Sequence, residues 1–209
     1  MADVTIRGAG IFGLTIAWAA LERGAGVRVI DPNGPGAGAS GGVVGALQPH
    51  TPDPWNTKKQ FQLDSLLMAE TFWPAVENVS GIASGYARVG RLMPLKTERE
   101  VELARARIEA ARTNWGGHAA WDVIRSEDAG DWQPPSPTGH HVRDTLSAIL
   151  HPASATASLA AAIRSRGGEI HRNGEHEGPV IWATGWQGLR DLGDALGRPV
   201  GNGVKGQAA

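Results

Sequence analysis

Apolar and polar positions alternate in short runs near the N-terminus and then change period. Val4-Thr5-Ile6-Arg7 reads as a strand, Leu14 to Arg23 as an amphipathic helix, and Val27-Arg28-Val29-Ile30 as a second strand closed by Asp31. Between the first strand and the helix stands Gly8-Ala9-Gly10-Ile11-Phe12-Gly13. Farther on, Phe61, Leu63, Leu66, Leu67, Phe72 and Trp73 give a helix over about 59–79 one buried face. Tyr86–Val89 and Arg91–Leu95 read as two short strands around Gly90. A helix runs from the capping box Thr97-Glu98-Arg99-Glu100 to about Trp115. Trp121–Ile124 reads as a strand, Ser126-Glu127-Asp128 as a short helical turn, and 133–139 as a Pro-rich loop. An Ala-rich helix over about 155–166, a strand at Glu169-Ile170-His171 and an apolar strand from Pro179 to Ala183-Thr184-Gly185 complete the pattern.

The order strand, glycine turn, helix, strand, acid carries the first chemistry. Gly8 permits the tight turn, Gly10 a close approach of backbone to a pyrophosphate, and Gly13 the contact of helix with strand. A diphosphate fits free N–H groups at the positive end of the helix. Asp31 stands 18 residues after Gly13, where a carboxylate accepts hydrogen bonds from a ribose diol. Because 29 glycines make chance matches common, the context of strand, helix and acid gives the motif its weight. A second glycine-rich run, Gly34 to Gly42 with Ser40, has the chemistry of an anion nest and then turns apolar through Gly45-Ala46-Leu47.

Composition narrows the classes. A net charge of −1 leaves no electrostatic footprint for nucleic acid or an anionic membrane. The absence of cysteine excludes disulfides, thiolate metal sites, attachment of a cofactor through sulfur and a cysteine nucleophile; it is compatible with a reducing cytoplasm, the expected location. The N-terminal apolar run is broken by Gly13 and Thr15 and is not a signal peptide. His140-His141 are adjacent, cannot face one metal from a regular element, and read as a solvated pair; no metal site is expected.

Taken together, Gly8 to Gly13, Asp31-Pro32, Gly38-Ala39-Ser40 and Gly45-Ala46-Leu47 resemble the FAD-dependent amine and amino-acid oxidoreductases of the D-amino-acid oxidase and glycine oxidase type. Asp31 stands where that family more often has Glu. The resemblance implies an α/β fold: a Rossmann-like FAD-binding domain with a parallel sheet, plus the beginning of an α+β substrate domain. The expected domains are 1–50 with 150–200 for FAD, 51–149 as an insertion partly of the substrate domain, and 201–209 as the start of a truncated substrate-domain strand that includes Val204-Lys205-Gly206-Gln207. Non-covalent FAD would be held by Gly8, Gly10, Ile11, Phe12, Gly13, Asp31, Pro32, Gly38, Ala39, Ser40, Gly41, Gly45, Ala46, Leu47, Ala183, Thr184 and Gly185. The family uses the strand before Ala183-Thr184-Gly185 as a central one, and its strand pair near 173–178 looks trimmed here.

The implied reaction is oxidation of a C–N bond in an amino acid or related amine, with hydride transfer to the flavin. No catalytic acid or base is identifiable; Lys58, Lys59, Tyr86 and Arg88 lie on a plausible substrate side without an assigned role. The resemblance covers only the N-terminal part of the family's length. Two alternatives stay open: a truncated FAD-binding fragment or subunit without independent turnover, completed by a second polypeptide, and a nicotinamide-binding Rossmann domain.

Overall fold

The structure is a computed structural model that describes residues 1–204 and 206. The chain forms two compact units: residues 1–45, 73–85 and 150 onward make the first, and 46–72 with 86–149 the second.

The first unit is built on a parallel sheet. β1 (Val4–Arg7), β2 (Val27–Ile30), β8 (Glu169–His171) and β9 (Val180–Trp182) lie in the order β8-β2-β1-β9. Val4 to Arg7 pair with Val27 to Ile30, Thr5 to Arg7 with Val180 to Trp182, and Arg28 to Ile30 with Glu169 to His171. Side chains alternate between faces, so Ile6 and Val29 share one face and Thr5 and Arg28 the other. The apolar face is covered by α1 (Ile11–Leu21), which buries Leu14, Ala17 and Trp18 and packs on α4 (Pro152–Ser165), which buries Leu159, Ala162 and Ile163. α4 starts where its chemistry demands: Pro152 is pre-set for the first turn, and His151 Nδ1 accepts the Ser154 N–H at 3.2 Å.

On the opposite face Thr5 and Arg28 converge on Glu177. Thr5 Oγ1 donates to the Glu177 carbonyl at 2.7 Å and accepts its N–H at 2.8 Å. The Glu177 carboxylate takes the Ala2 N–H at 2.5 Å and Arg28 Nη1 at 2.6 Å, while Arg28 also reaches Glu169 at 2.8 Å. Glu169 is held below its ordinary value chiefly by the Arg28 hydrogen bond, then by His171; Glu177 is lowered chiefly by the Ala2 N–H, against some desolvation, and then by Arg28. Carboxylates with lowered folded values stabilise above the unfolded value of about 4.5 and lose that contribution as pH falls through the folded one. The midpoint of thermal unfolding is therefore expected to stay level from neutral pH to about 5 and fall below about 4.5. Glu177→Gln should flatten this slope in melts taken across the range; an unchanged slope would remove Glu177 from the account.

In the second unit β4 (Arg91–Pro94), β5 (Trp121–Arg125) and β6 (His140–Asp144) form an antiparallel sheet in the order β4-β6-β5. α3 (Glu98–Asn114) covers it with Val101, Ala104 and Ala111, beside Trp115, Trp121, Val142 and Leu146. Trp115 and Trp121 meet edge to face at 6.1 Å, and the Trp121 indole N–H donates to the Ala104 carbonyl at 3.1 Å. The capping box forms with a shift: Thr97 Oγ1 accepts the Glu100 N–H, but the Glu100 carboxylate takes the Lys96 N–H rather than that of Thr97. Asp144, fully buried, is matched by Arg91 at 2.9 Å, by two backbone N–H groups and by the Ser147 hydroxyl. α2 (Thr57–Ser80) runs through both units; in the second it buries Leu63 and Leu66 as its spacing predicts, with Phe61 75% exposed, and in the first it buries Trp73. β3 (Gly45–Leu47) and β7 (Ala148–Leu150) pair with each other.

Several local expectations are overturned. Tyr86–Val89 is no strand but a single bridge, Ala87 to Ile149, because Gly85 and Gly90 both turn with φ of +74°. The His140-His141 pair belongs to β6; His141 is fully buried, with Nε2 2.8 Å from the Pro134 carbonyl. β9 is the edge of the described sheet, not a central strand, and Ala183-Thr184 leads into α5 (Gly185–Leu196). Val204 and Gly206 lie in no regular element; Lys205 and Gln207 of the expected C-terminal strand fall outside the described residues. Among the described residues no helix is long and apolar enough to cross a membrane, and no cluster of His, Asp and Glu could hold a metal.

Candidate functional site

The C-terminal end of β1 opens the site. Gly8 turns with φ +107°, and a Cβ there would stand 2.3 Å from the Ala183 carbonyl oxygen. Gly13 lies against the same turn: its Cβ would fall 1.8 Å from the Gly8 carbonyl oxygen. Gly10 is the N-cap of α1 with extended backbone, and a Cβ there would meet only Ser40, at 3.2 Å from its hydroxyl. Glycine is thus required for packing at 8 and 13, and at 10 it leaves a hollow.

Side chains from elsewhere hold this turn. The Ala9 N–H donates to Asp31 Oδ2 at 2.8 Å, and the Ala9 carbonyl accepts the Gly36 N–H at 2.9 Å. The Ile11 N–H donates to Ser40 Oγ at 2.9 Å. Among the described residues the N–H groups of Gly10, Phe12 and Gly13 meet no acceptor, as befits the first turn of a helix. Three donors at the positive end of α1, around the hollow at Gly10, suit a diphosphate.

The other expected residues are distributed as follows. Asp31 Oδ1 accepts the N–H groups of Asn33 at 2.9 Å and Gly34 at 3.1 Å; Pro32 is exposed. Gly38 precedes the 3-10 turn Ala39–Gly41, which carries Ser40 to Ile11. Gly41 is confined: its Cβ would lie 2.2 Å from the Gly36 carbonyl oxygen. Gly45 belongs to the first unit, Ala46 and Leu47 to the second. Ala183 is bound to the turn through its N–H, which donates to the Arg7 carbonyl at 2.8 Å, and Thr184 and Gly185 begin α5. The first unit therefore gathers Gly8 to Gly13, Asp31, Ser40 and Ala183-Thr184 around one turn.

Sequence reasoning placed Gly36 only within the glycine-rich run of 34–42, and missed Thr156 and Gly188. Gly36 has φ +69°, and its missing Cβ would press on the Thr156 hydroxyl at 2.5 Å. At Gly188 a Cβ would stand 1.7 Å from Thr184 Oγ1. The signal for Gly188 is its spacing, four residues after a threonine that opens a helix.

In the second unit a groove of about 1080 Å³ is lined by Arg88, Leu92, Ile124, Trp132, Gln133 and Arg143. The buried Gln133 Oε1 has no partner among the described residues. Of the residues named for a substrate side, Arg88 is committed to the Thr145 and His118 carbonyls and to Glu70. Lys59 is committed to the Thr51 and Asp53 carbonyls, and Lys58 is exposed.

A family model described as DAO, FAD dependent oxidoreductase, matches residues 3–206. The fold is similar to glycine oxidase from Geobacillus kaustophilus, with a TM-score of 0.75 and 20% identity over 94% of this chain and 58% of that one. It is similar as well to L-amino acid deaminase from Proteus myxofaciens in complex with anthranilate, with a TM-score of 0.75 and 18% identity over 95% of this chain and 48% of that one. L-proline dehydrogenase from P. horikoshii has a TM-score of 0.70 and 18% identity, covering 93% and 55%. The chain thus spans about half the length of these solved structures. No curated protein matches it.

Proposed function

This chain belongs to the family of FAD-dependent oxidoreductases, and from that premise we propose that it serves the oxidation of a C–N bond in an amino acid or related amine. The observation that carries the reading is the glycine turn with three free N–H donors around Gly10. FAD, the family's cofactor, supplies the redox chemistry by accepting a hydride. The chain's own residues bind and orient: Gly10, Phe12 and Gly13 offer N–H groups to the diphosphate, and Ser40 and Asp31 keep the turn in shape. Ala183 and Thr184, at the C-terminal end of β9, lie where ligands of such sheets sit. On this reading the first unit is the FAD-binding domain, the second belongs to the substrate side, the substrate is a small molecule, and the setting is cytoplasmic, without nucleic-acid or membrane partners.

A second reading is a chain that binds FAD without turnover of its own. The absorbance spectrum of the purified chain separates the readings. Retained flavin bleached anaerobically by an amino acid or secondary amine supports the enzyme, and flavin that no substrate bleaches supports the second reading. Release of NAD on denaturation would sink both.

A further inference from the structure

Asp31 is already occupied. A carboxylate has about four acceptor positions, two on each oxygen. Oδ1 accepts from Asn33 at 2.9 Å and from Gly34 at 3.1 Å, which fills it, and Oδ2 accepts from Ala9 at 2.8 Å, which leaves one position. A bidentate grip on a ribose diol needs a free position on each oxygen. The short side chain explains the difference: an aspartate carboxylate stays near its own turn and closes an Asx turn. The turn it closes is shaped by Gly34 and Gly36, with φ of +89° and +69°, and Gly36 returns a hydrogen bond to Ala9.

On the far side of Gly10, Ser40 does the same. Its hydroxyl oxygen takes the Ile11 N–H at 2.9 Å, and its own O–H remains able to donate. The N–H groups on either side of Gly10, those of Ala9 and Ile11, are therefore tied by side chains from two other segments. Those of Gly10, Phe12 and Gly13 are left over. Order established before binding lowers the entropic cost of binding.

Resting on the FAD reading above, we propose that Asp31 and Ser40 are positioning residues that strap the glycine turn into its binding shape without cofactor, and that Asp31 holds at most one ribose hydroxyl. Amide hydrogen exchange on the cofactor-free chain tests the strap. Asp31→Ala should speed exchange at Ala9 and Asn33 by about fivefold or more, the worth of one hydrogen bond, and by less at Gly34, whose N–H also donates to the Asp31 carbonyl at 3.2 Å, while core amides such as Ile163 stay unchanged. Asp31→Asn keeps one acceptor oxygen and should restore protection at Asn33 and Gly34 but not at Ala9. Ser40→Ala should act at Ile11 alone. Both alanine variants should bind FAD more weakly by about fivefold to tenfold in a fluorescence titration. If Asp31→Ala leaves all three amides as in the wild type, the strap is overturned. An affinity loss of about a hundredfold or more in the Asp31→Ala chain would restore the bidentate grip. Should Asp31→Ala not fold, the Asn variant decides alone, and uniform exchange across its turn would overturn the proposal. A wild-type chain that takes up no FAD refutes the cofactor reading, while the exchange results still decide the strap.

Discussion

Gly13→Ala is expected to break the first unit and to abolish FAD retention together. The added carbon would sit 1.8 Å from the Gly8 carbonyl oxygen and 2.9 Å from its carbon. Both neighbours are backbone, so no side chain can swing aside. α1 would have to lift from β1, opening the buried stripe of Leu14, Ala17 and Trp18. Overpacking of this kind costs about 3 kcal/mol or more. In a chain of this size that lowers the melting temperature by roughly 6–12 °C. A scan of the cofactor-free variant checks it; a midpoint within about 2 °C of wild type would mean that the turn yields far more easily than its geometry implies.

Gly10→Val is expected to do the opposite, sparing the fold and destroying the site. Gly10 has φ −76° and ψ −178°, a backbone that valine adopts readily. Its side chain would meet only Ser40 and would fill the hollow that the three N–H groups surround. It would also push the Ser40 hydroxyl off the Ile11 N–H. The cost to the cofactor-free fold should stay within about 1 kcal/mol, while FAD affinity falls by about a hundredfold or more. Thermal melting and flavin titration on the same preparation read both effects. A Gly10→Val chain that binds FAD normally would move the diphosphate away from this turn.

The contrast between these two glycines shows what was legible in the sequence. Strand, turn, helix and acid follow from spacing alone, because each of those residues acts within its own element or on the next one. Asp31 is different. Its placement was legible, but its partners depend on a turn whose course is set by Gly34 and Gly36, three and five residues onward. β6 was hidden behind the prolines of 133–139, and nothing local says that His141 would be buried with its ring against Pro134. α5 was hidden by the apolar run Val180-Ile181-Trp182, which makes the residues after it look like more strand. The Gly188 that lets a helix form beneath Thr184 becomes meaningful only once Thr184 is known to open it.

Glu177 has a consequence for building on this chain. It is a knot: Ala2, Thr5 and Arg28 all close on it through backbone or side-chain atoms. The stretch Asn173-Gly174-Glu175 just before it is exposed and carries none of those bonds. Residues can be inserted there, whether a peptide epitope or a reporter, without untying the sheet. The same insertion one or two positions past Glu177 would meet Gly178, whose missing Cβ points 2.2 Å from the Asp3 carbonyl oxygen, and would pry the first strand from its neighbours.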